Sequence, residues 1–174
     1  GQDGDLFGWP TVEGNINTVG HKALVAPTEP AALELLHKTF GRKAWADLVA
    51  PAVDLAREGL FVDWHTTLLI ATAVADLARD KAAAARFMPT GAPPVPVAAT
   101  DPQPQKRLAM PALAATLQAI AGGGAKALYE GPIAKGIVDD VRAGGGYLTQ
   151  EDLAAVSPRF VTPREVTHQG RTIH

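Results

Sequence analysis

The chain has 174 residues and a formal net charge of −2, with acidic and basic side chains interspersed along its length. Hydrophobic residues make up 47% but aromatic residues only 6%, a balance that favours helices packed through small residues over a β-sandwich. The mixed charge pattern offers no basic footprint for nucleic acid. The absence of cysteine excludes disulfides, thiolate nucleophiles and Cys-ligated zinc. No apolar run reaches the about 18 residues of a membrane span, so no membrane partner is predicted.

The N-terminal stretch, residues 1–20, is predicted to be a flexible arm, because glycines recur there without hydrophobic periodicity. Three apolar residues in it could dock on the body of the protein: Leu6, Phe7 and Trp9. The residues that follow, His21–Ala26, are predicted to form a short extended segment. A helical segment is then predicted to occupy the rest of residues 21–158.

The first predicted helix starts after the Pro27-Thr28-Glu29-Pro30 turn, with Pro30 in its first turn, where a missing backbone N–H costs little. Gly41 is predicted to end it. Helical spacing assigns four residues to its inner face: Leu33, Leu36, His37 and Phe40.

The next stretch is punctuated by Pro51, which removes a helical donor and therefore predicts two short helices over 43–49 and 51–58. Asp63 is a suitable N-cap for a longer helix over 64–79. Four residues of that helix are predicted to face inward by their spacing: Leu68, Ala71, Ala75 and Ala78.

A further helical piece is predicted at Lys81–Phe87, followed by a proline-rich loop over residues 88–107. Six prolines between Met88 and Gln105 exclude a continuous helix there. The loop is predicted to cross the surface of one domain, because the apolar stripes of the helices on either side need each other.

Glycine and proline divide the stretch Leu108–Leu153 into four helices. Pro111 and Pro132 fit first turns, and glycine runs at 122–124 and 144–146 allow helix ends. The first of these helices is predicted to face inward through Leu113, Leu117 and Ile120, and the third through Ile133, Ile137, Val138 and Val141. The last helix has near-capping-box spacing from Thr149 to Asp152.

The C-terminal residues 159–174 are predicted to start a strand-turn-strand unit. Arg159–Thr162 and Glu165–His168 alternate as strands do, Gln169-Gly170 suits a tight turn, and Arg171–His174 begins the second strand. A strand of four residues leaves its ladder incomplete. We therefore expect the polypeptide to continue into a larger sheet.

The polar residues offer little chemistry of their own. The five histidines form neither an HExxH pattern nor an i, i+4 pair, so zinc is not predicted. His37 is interpreted as the edge of the core and His65 as exposed, while His168 and His174 are expected to pair across the hairpin. Neighbours such as Asp139 and Asp140 point about 100° apart on a helix and cannot share a proton. No catalytic, substrate-binding or metal-binding residue and no cofactor is predicted.

Three runs in the central stretch, PALAATLQAIA, ALYEGPIAKGIV and GGGYLTQEDLA, occur in an order that indicates a family. With FGRKAWADLVAPAVDLAREGLFV upstream and VTHQGRTIH downstream, they closely resemble the large-subunit segment of the γ-glutamyltransferase family (γ-glutamyltranspeptidases). These are N-terminal-nucleophile hydrolases. The resemblance covers residues 20–174.

The resemblance implies a mainly α fold, namely the helical part of an αββα large subunit with a short C-terminal β-hairpin. It also implies a parent enzyme that transfers or hydrolyses γ-glutamyl groups through an acyl intermediate on threonine. In this family the nucleophilic threonine and the oxyanion donors belong to the small subunit, and the carboxylate-binding arginine lies upstream. Carried over residue by residue, the family pattern places no catalytic residue in this chain.

The implied partners are the remainder of the large subunit, the small catalytic subunit and, for the parent enzyme, γ-glutamyl compounds. The resemblance leaves the compartment open, since bacterial family members are often periplasmic or secreted and a cytoplasmic location is also compatible. Two alternatives remain: a stand-alone helical interaction module, and a homologue that is never processed and is inactive. Uncovered apolar stripes would also predict self-association.

Overall fold

The computed structural model describes residues 12–102 and 104–173, and it is mainly helical over these ranges. The helices are α1 (Glu29–Phe40), α2 (Trp45–Glu58), α3 (Trp64–Thr72), α4 (Val74–Leu77), α5 (Lys81–Phe87), α6 (Pro111–Gly123), α7 (Lys126–Tyr129), α8 (Gly131–Ala143) and α9 (Gln150–Ala154). The strands are β1 (Leu60–Phe61), β2 (Arg107–Leu108), β3 (Val166–His168) and β4 (Arg171–Ile173). The predicted mainly α fold with a C-terminal β-hairpin is confirmed. None of these helices combines the length and apolarity needed to cross a membrane.

The predicted docking of Leu6, Phe7 and Trp9 lies outside the described residues. After a 3₁₀ turn at Glu13–Asn15, the chain forms a second one at His21–Ala23. The predicted extended segment over 21–26 is therefore wrong at its start, and the backbone becomes extended at Leu24. The reason is contact with α8: the His21 ring and carbonyl lie where Cβ atoms on Gly144 and Gly146 would be.

Helix α1 has the predicted start and end, but its predicted inner face is wrong. Ala31 is its buried residue, whereas Leu33, Leu36 and Phe40 are 49%, 46% and 70% exposed. The small Ala31 side chain allows the first turn of α1 to approach Tyr129, with 3.2 Å between the Ala31 N–H nitrogen and the phenolic oxygen. This approach turns the large apolar residues outward.

Helix α2 is continuous through Pro51, so the predicted pair of short helices is wrong. Pro51 lies on the exposed side, while Val53 and Ala56 are buried on the side that packs along α6. The Trp45 indole also donates to the Ile120 carbonyl of α6 at 2.9 Å. We attribute the continuity of the helix to this packing, which compensates for the hydrogen bond that proline cannot make.

Asp63 caps α3 as predicted, accepting the Thr66 N–H at 2.7 Å, and the hydrogen bonds from Thr66 lower the pKa of its carboxyl group. The predicted helix over 64–79 is divided, however, because α3 ends at Thr72. There the Thr72 hydroxyl donates to the Leu69 carbonyl at 2.8 Å, competing with the helical ladder. The buried face runs through Ile70, with Val74 and Leu77 packed beside it, instead of through the exposed Leu68.

Helix α5 has the predicted bounds, and a loop follows it to β2. Strands β1 and β2 pair antiparallel, with Leu60 opposite Leu108 and Phe61 opposite Arg107. This small sheet was not predicted, because two residues are too few to show a period. Val62, which follows β1, is fully buried and forms a small core with the α3–α5 helices.

The four helices from α6 to α9 follow the predicted punctuation, and their main core is built from α1, α6, α7, α8 and α9. The predicted stripe of α8 is confirmed, with Val141 buried. The stripe of α6 is shifted: Ala114, Ile120 and Ala121 are buried, whereas Leu113 is 45% exposed. Close packing of α6 against α2 selects the alanine side of the helix.

The capping box at α9 is confirmed: the Thr149 hydroxyl accepts the Asp152 N–H at 3.1 Å, and the Asp152 carboxylate accepts the Thr149 N–H at 2.9 Å. The C-terminal hairpin has the predicted turn at 169–170. The predicted strand at Arg159–Thr162 is wrong, because that stretch is irregular and has no pairing partner within residues 12–102 and 104–173.

Candidate functional site

The histidines in the described part of the chain are dispersed over different elements. His37 Nε2 lies 2.8 Å from the Lys43 carbonyl oxygen, and its ring packs 5.3 Å from Trp45, as expected for the edge of the core. His65 is exposed, as predicted. The predicted pairing of His168 with His174 is wrong in register, because His168 lies opposite Arg171, and His174 itself lies outside the described residues.

The carboxylates are dispersed. Asp139 pairs with Lys135 on its own helix, whereas its neighbour Asp140 lies 3.5 Å from His21 on a different element. The two therefore point to different partners, as predicted for adjacent helical positions. No group of three or more His, Asp or Glu side chains in residues 12–102 and 104–173 is arranged to hold a metal ion.

Tyr129 is the polar centre of the main core. Its hydroxyl accepts the Ala31 N–H at 3.2 Å near the start of α1, and its carbonyl accepts the Gln150 side-chain amide at 3.2 Å at the start of α9. One residue of the four-residue helix α7 thus links three helices. Burial raises the pKa of Tyr129, with a smaller opposing contribution from the Ala31 N–H and an additional increase from the charge of Glu34. The sequence predicted a helix here but not this role, although an aromatic residue just before a Gly-Pro restart was a usable signal.

Replacing Tyr129 by phenylalanine should lower the free energy of unfolding by about 1–2 kcal/mol, because the Ala31 N–H loses its acceptor. In the wild-type chain the raised pKa of Tyr129 contributes to the free energy of unfolding. This contribution is fully present below pH 10.0, the ordinary pKa of tyrosine, and is lost as pH rises through the pKa of the folded state. Urea unfolding at neutral and alkaline pH measures both effects. The control is Tyr147→Phe, which changes a 67% exposed ring and should cost almost nothing.

A cleft of 280 Å³ lies beside Tyr129, between α1, α7 and α9. Its charged side chains form ion pairs one turn apart on single helices: Glu34 with Lys38 at 3.1 Å, and Lys126 with Glu130 at 3.2 Å. Among the described residues that line the cleft, each charged side chain therefore has an oppositely charged partner on its own helix.

The most distinctive surface is apolar. We define the α1 face as Leu33, Leu36, Phe40 and Phe160. The first three recur on one side of the helix, and the Phe40 and Phe160 rings meet edge to face at 5.9 Å. All four side chains are more than 45% exposed. A contiguous apolar patch of this kind marks a surface that normally contacts another structure.

The hairpin β3–β4 is equally uncovered. Every residue of both strands is exposed, including the cross-strand pair Val166 and Ile173, which are 60% and 51% exposed. A two-stranded hairpin alone is marginally stable in water and usually gains stability from further strands or from a covering helix.

Comparison with known proteins places these features in a family. A family model described as Gamma-glutamyltranspeptidase matches residues 3–174. The chain belongs to the γ-glutamyltranspeptidase family. This confirms the resemblance seen in the sequence and the assignment of the helices to its large-subunit segment.

The relatives differ in the names of their activities. A glutathione hydrolase proenzyme from Pseudomonas sp. (strain A14) is 31% identical over 163 residues, which cover 91% of this chain and 27% of the relative. An Acylase ACY 1 proenzyme from Pseudomonas sp. (strain V22) is 32% identical over 157 residues, covering 90% of this chain and 27% of the relative. The chain thus spans about a quarter of the length of these curated γ-glutamyltranspeptidase-family relatives.

Solved structures give the same fold. The γ-glutamyltranspeptidase of Helicobacter pylori matches with a TM-score of 0.81 and 26% identity, covering 93% of this chain and 44% of that one. The γ-glutamyltranspeptidase of Pseudomonas nitroreducens, solved in complex with L-DON, matches with a TM-score of 0.75 and 28% identity, covering 93% and 45%. The helical segment described here is therefore a recurrent part of γ-glutamyltranspeptidases.

Proposed function

We propose that this chain is a helical large-subunit segment of an enzyme that transfers or hydrolyses γ-glutamyl or related acyl groups through an acyl-threonine intermediate. Family membership supports the enzyme class, and the names of the glutathione hydrolase relatives support a γ-glutamyl donor. A relative named as an acylase, at 32% identity, is the reason for including related acyl groups. A threonine freed at a chain N-terminus has its own α-amino group as a base, so it needs no histidine partner.

Within that enzyme, the segment is proposed to be structural and non-catalytic. The observation that carries this proposal is the α1 face, which presents four large apolar side chains to solvent. Leaving them exposed forgoes about 1.5–3 kcal/mol for each side chain that could be fully buried. The remainder of the large subunit and the small subunit are the proposed partners, with the hairpin β3–β4 extended by further strands.

The polar groups of the segment support the same role. The hydroxyl of Tyr129 holds α1, the carboxylates of Asp63 and Asp152 cap helices, and the His37 ring binds a backbone carbonyl. These groups are committed to holding the helices together. The segment would thus support an active site whose reacting groups come from the rest of the protein.

The 174-residue chain alone is expected to release no p-nitroaniline from γ-glutamyl-p-nitroanilide above the uncatalysed background. The complete protein, assayed in parallel, should turn the substrate over. Turnover by the isolated chain would overturn the non-catalytic role. Failure of the complete protein to act on any γ-glutamyl or acyl donor would overturn the proposed activity instead.

Two rivals predict different behaviour of the complete protein. Denaturing electrophoresis should give two bands if it matures into large and small subunits, whereas an unprocessed homologue gives one. A stand-alone interaction module would have no threonine-led block downstream of this segment. Self-association of the isolated chain through the α1 face remains part of the proposal, and cleanly monomeric elution at high concentration would count against it.

A further inference from the structure

A second cleft, away from the α1 face and Tyr129, has a different character. It lies between α5, β2 and the start of α6 and has a volume of 580 Å³, within the usual range for small-molecule sites. Its walls are alanine, proline and leucine side chains, among them Pro89, Leu108 and Pro111. Two arginines, Arg86 and Arg107, are the charged residues among the described residues that line it.

Arg107 is held in place from three sides. Its Nη1 donates to the Gly59 carbonyl at 3.2 Å and lies 3.5 Å from the Glu58 carboxylate, and its guanidinium carbon lies 5.8 Å from the centre of the Phe61 ring. The backbone hydrogen bond, the ion pair and the cation–π contact together restrict the motion of the guanidinium. A fixed guanidinium loses little entropy when it binds an anion.

Arg86 differs from Arg107 in its lack of polar partners among the described residues. It lies in the last turn of α5 and is only partly exposed, yet within residues 12–102 and 104–173 it has neither an ion-pair partner nor a hydrogen-bond partner. Its charge is therefore available to bind an anion. Arginine is the side chain best suited to planar, bidentate binding of carboxylate and phosphate.

We propose that this cleft binds a small oxyanion, a carboxylate or a phosphate, carried on a short apolar body. Arg86 supplies the unpaired charge, Arg107 supplies the oriented second donor, and the alanine, leucine and proline walls contact the apolar part. Binding in this cleft does not require the proposed acyl-transfer activity.

The test is calorimetric titration of the complete protein with inorganic phosphate, acetate and hexanoate, comparing wild type with single variants. Arg86→Gln should weaken phosphate binding by about tenfold or more, because it removes a charge-assisted donor pair. Arg86→Lys keeps the charge but not the fork and should fall in between. The matched control is Arg79→Gln, which removes an arginine paired with Asp76 outside the cleft and should leave binding nearly unchanged.

The apolar walls should favour ligands with a longer apolar chain. Hexanoate should bind more tightly than acetate by about tenfold or more, since it can bury up to four additional methylene groups, and Arg86→Gln should weaken hexanoate binding as well. Equal losses in Arg79→Gln and Arg86→Gln would show general charge attraction and overturn the site. Absence of any Arg86-dependent binding would also overturn it, without bearing on acyl transfer.

Discussion

Replacing Leu153 by alanine is expected to lower the free energy of unfolding by about 3 kcal/mol, within the range of about 2–5 kcal/mol seen for buried leucines. Leu153 of α9 is fully buried in the main core, in one cluster with Tyr129, Ala134 and Val141. Removing its branched end leaves a cavity lined by residues of several helices, and helix positions limit how far the cavity can close. Urea unfolding followed by circular dichroism measures the loss.

The matched control is Leu113→Ala, the same substitution at a position that the apolar periodicity also assigns to the inside. Because Leu113 is 45% exposed, its replacement should cost less than about 1 kcal/mol. Equal losses for the two variants would mean that Leu153 is not buried in the main core as described.

The substitution Gly59→Ala is expected to cost about 3 kcal/mol or more, because it combines backbone strain with a collision. Gly59 ends α2 with φ +99° and ψ 159°, a conformation that side chains resist. An added Cβ would lie 2.6 Å from the nitrogen of Ala109 and from the carbonyl carbon of Leu108. These are backbone atoms next to the β1–β2 pairing, so they cannot move aside without disturbing that sheet.

A substitution at a second glycine separates backbone strain from collision. Gly91 also has a positive φ, +82°, but an added Cβ there meets no atom within 4 Å. Gly91→Ala should therefore show the backbone term alone, about 1 kcal/mol. If urea unfolding gives the two variants the same loss, the close approach of α2 to β2 is not a constraint on the fold.

The sequence predicted element boundaries best where a residue acts on its own backbone. Pro111 and Pro132 start helices, and Thr149 closes a capping box, because each effect depends on atoms within one turn. Pro51 is the instructive exception: its local effect is to break a helix, yet α2 continues because its other side packs along α6.

Inward-facing sides were harder to predict, for a physical reason. Periodicity shows that Leu33, Leu36 and Phe40 share one side of α1, but it contains no information about which neighbour that side meets. In this chain the small Ala31 meets Tyr129, and the side with the larger residues is exposed. The family resemblance was visible in local runs of sequence, whereas the two-arginine cleft needed residues 86 and 107 to be brought together.

We propose that the α1 face is covered by the rest of a γ-glutamyltranspeptidase-family enzyme. The 174 residues contain no cysteine, so Leu36→Cys introduces a single thiol into that face. Its alkylation rate, measured by mass spectrometry of the peptide that contains it, should be fast in the isolated chain, diluted until the chain is monomeric. In the complete protein the same thiol should react far more slowly, and an equally fast reaction there would contradict the account.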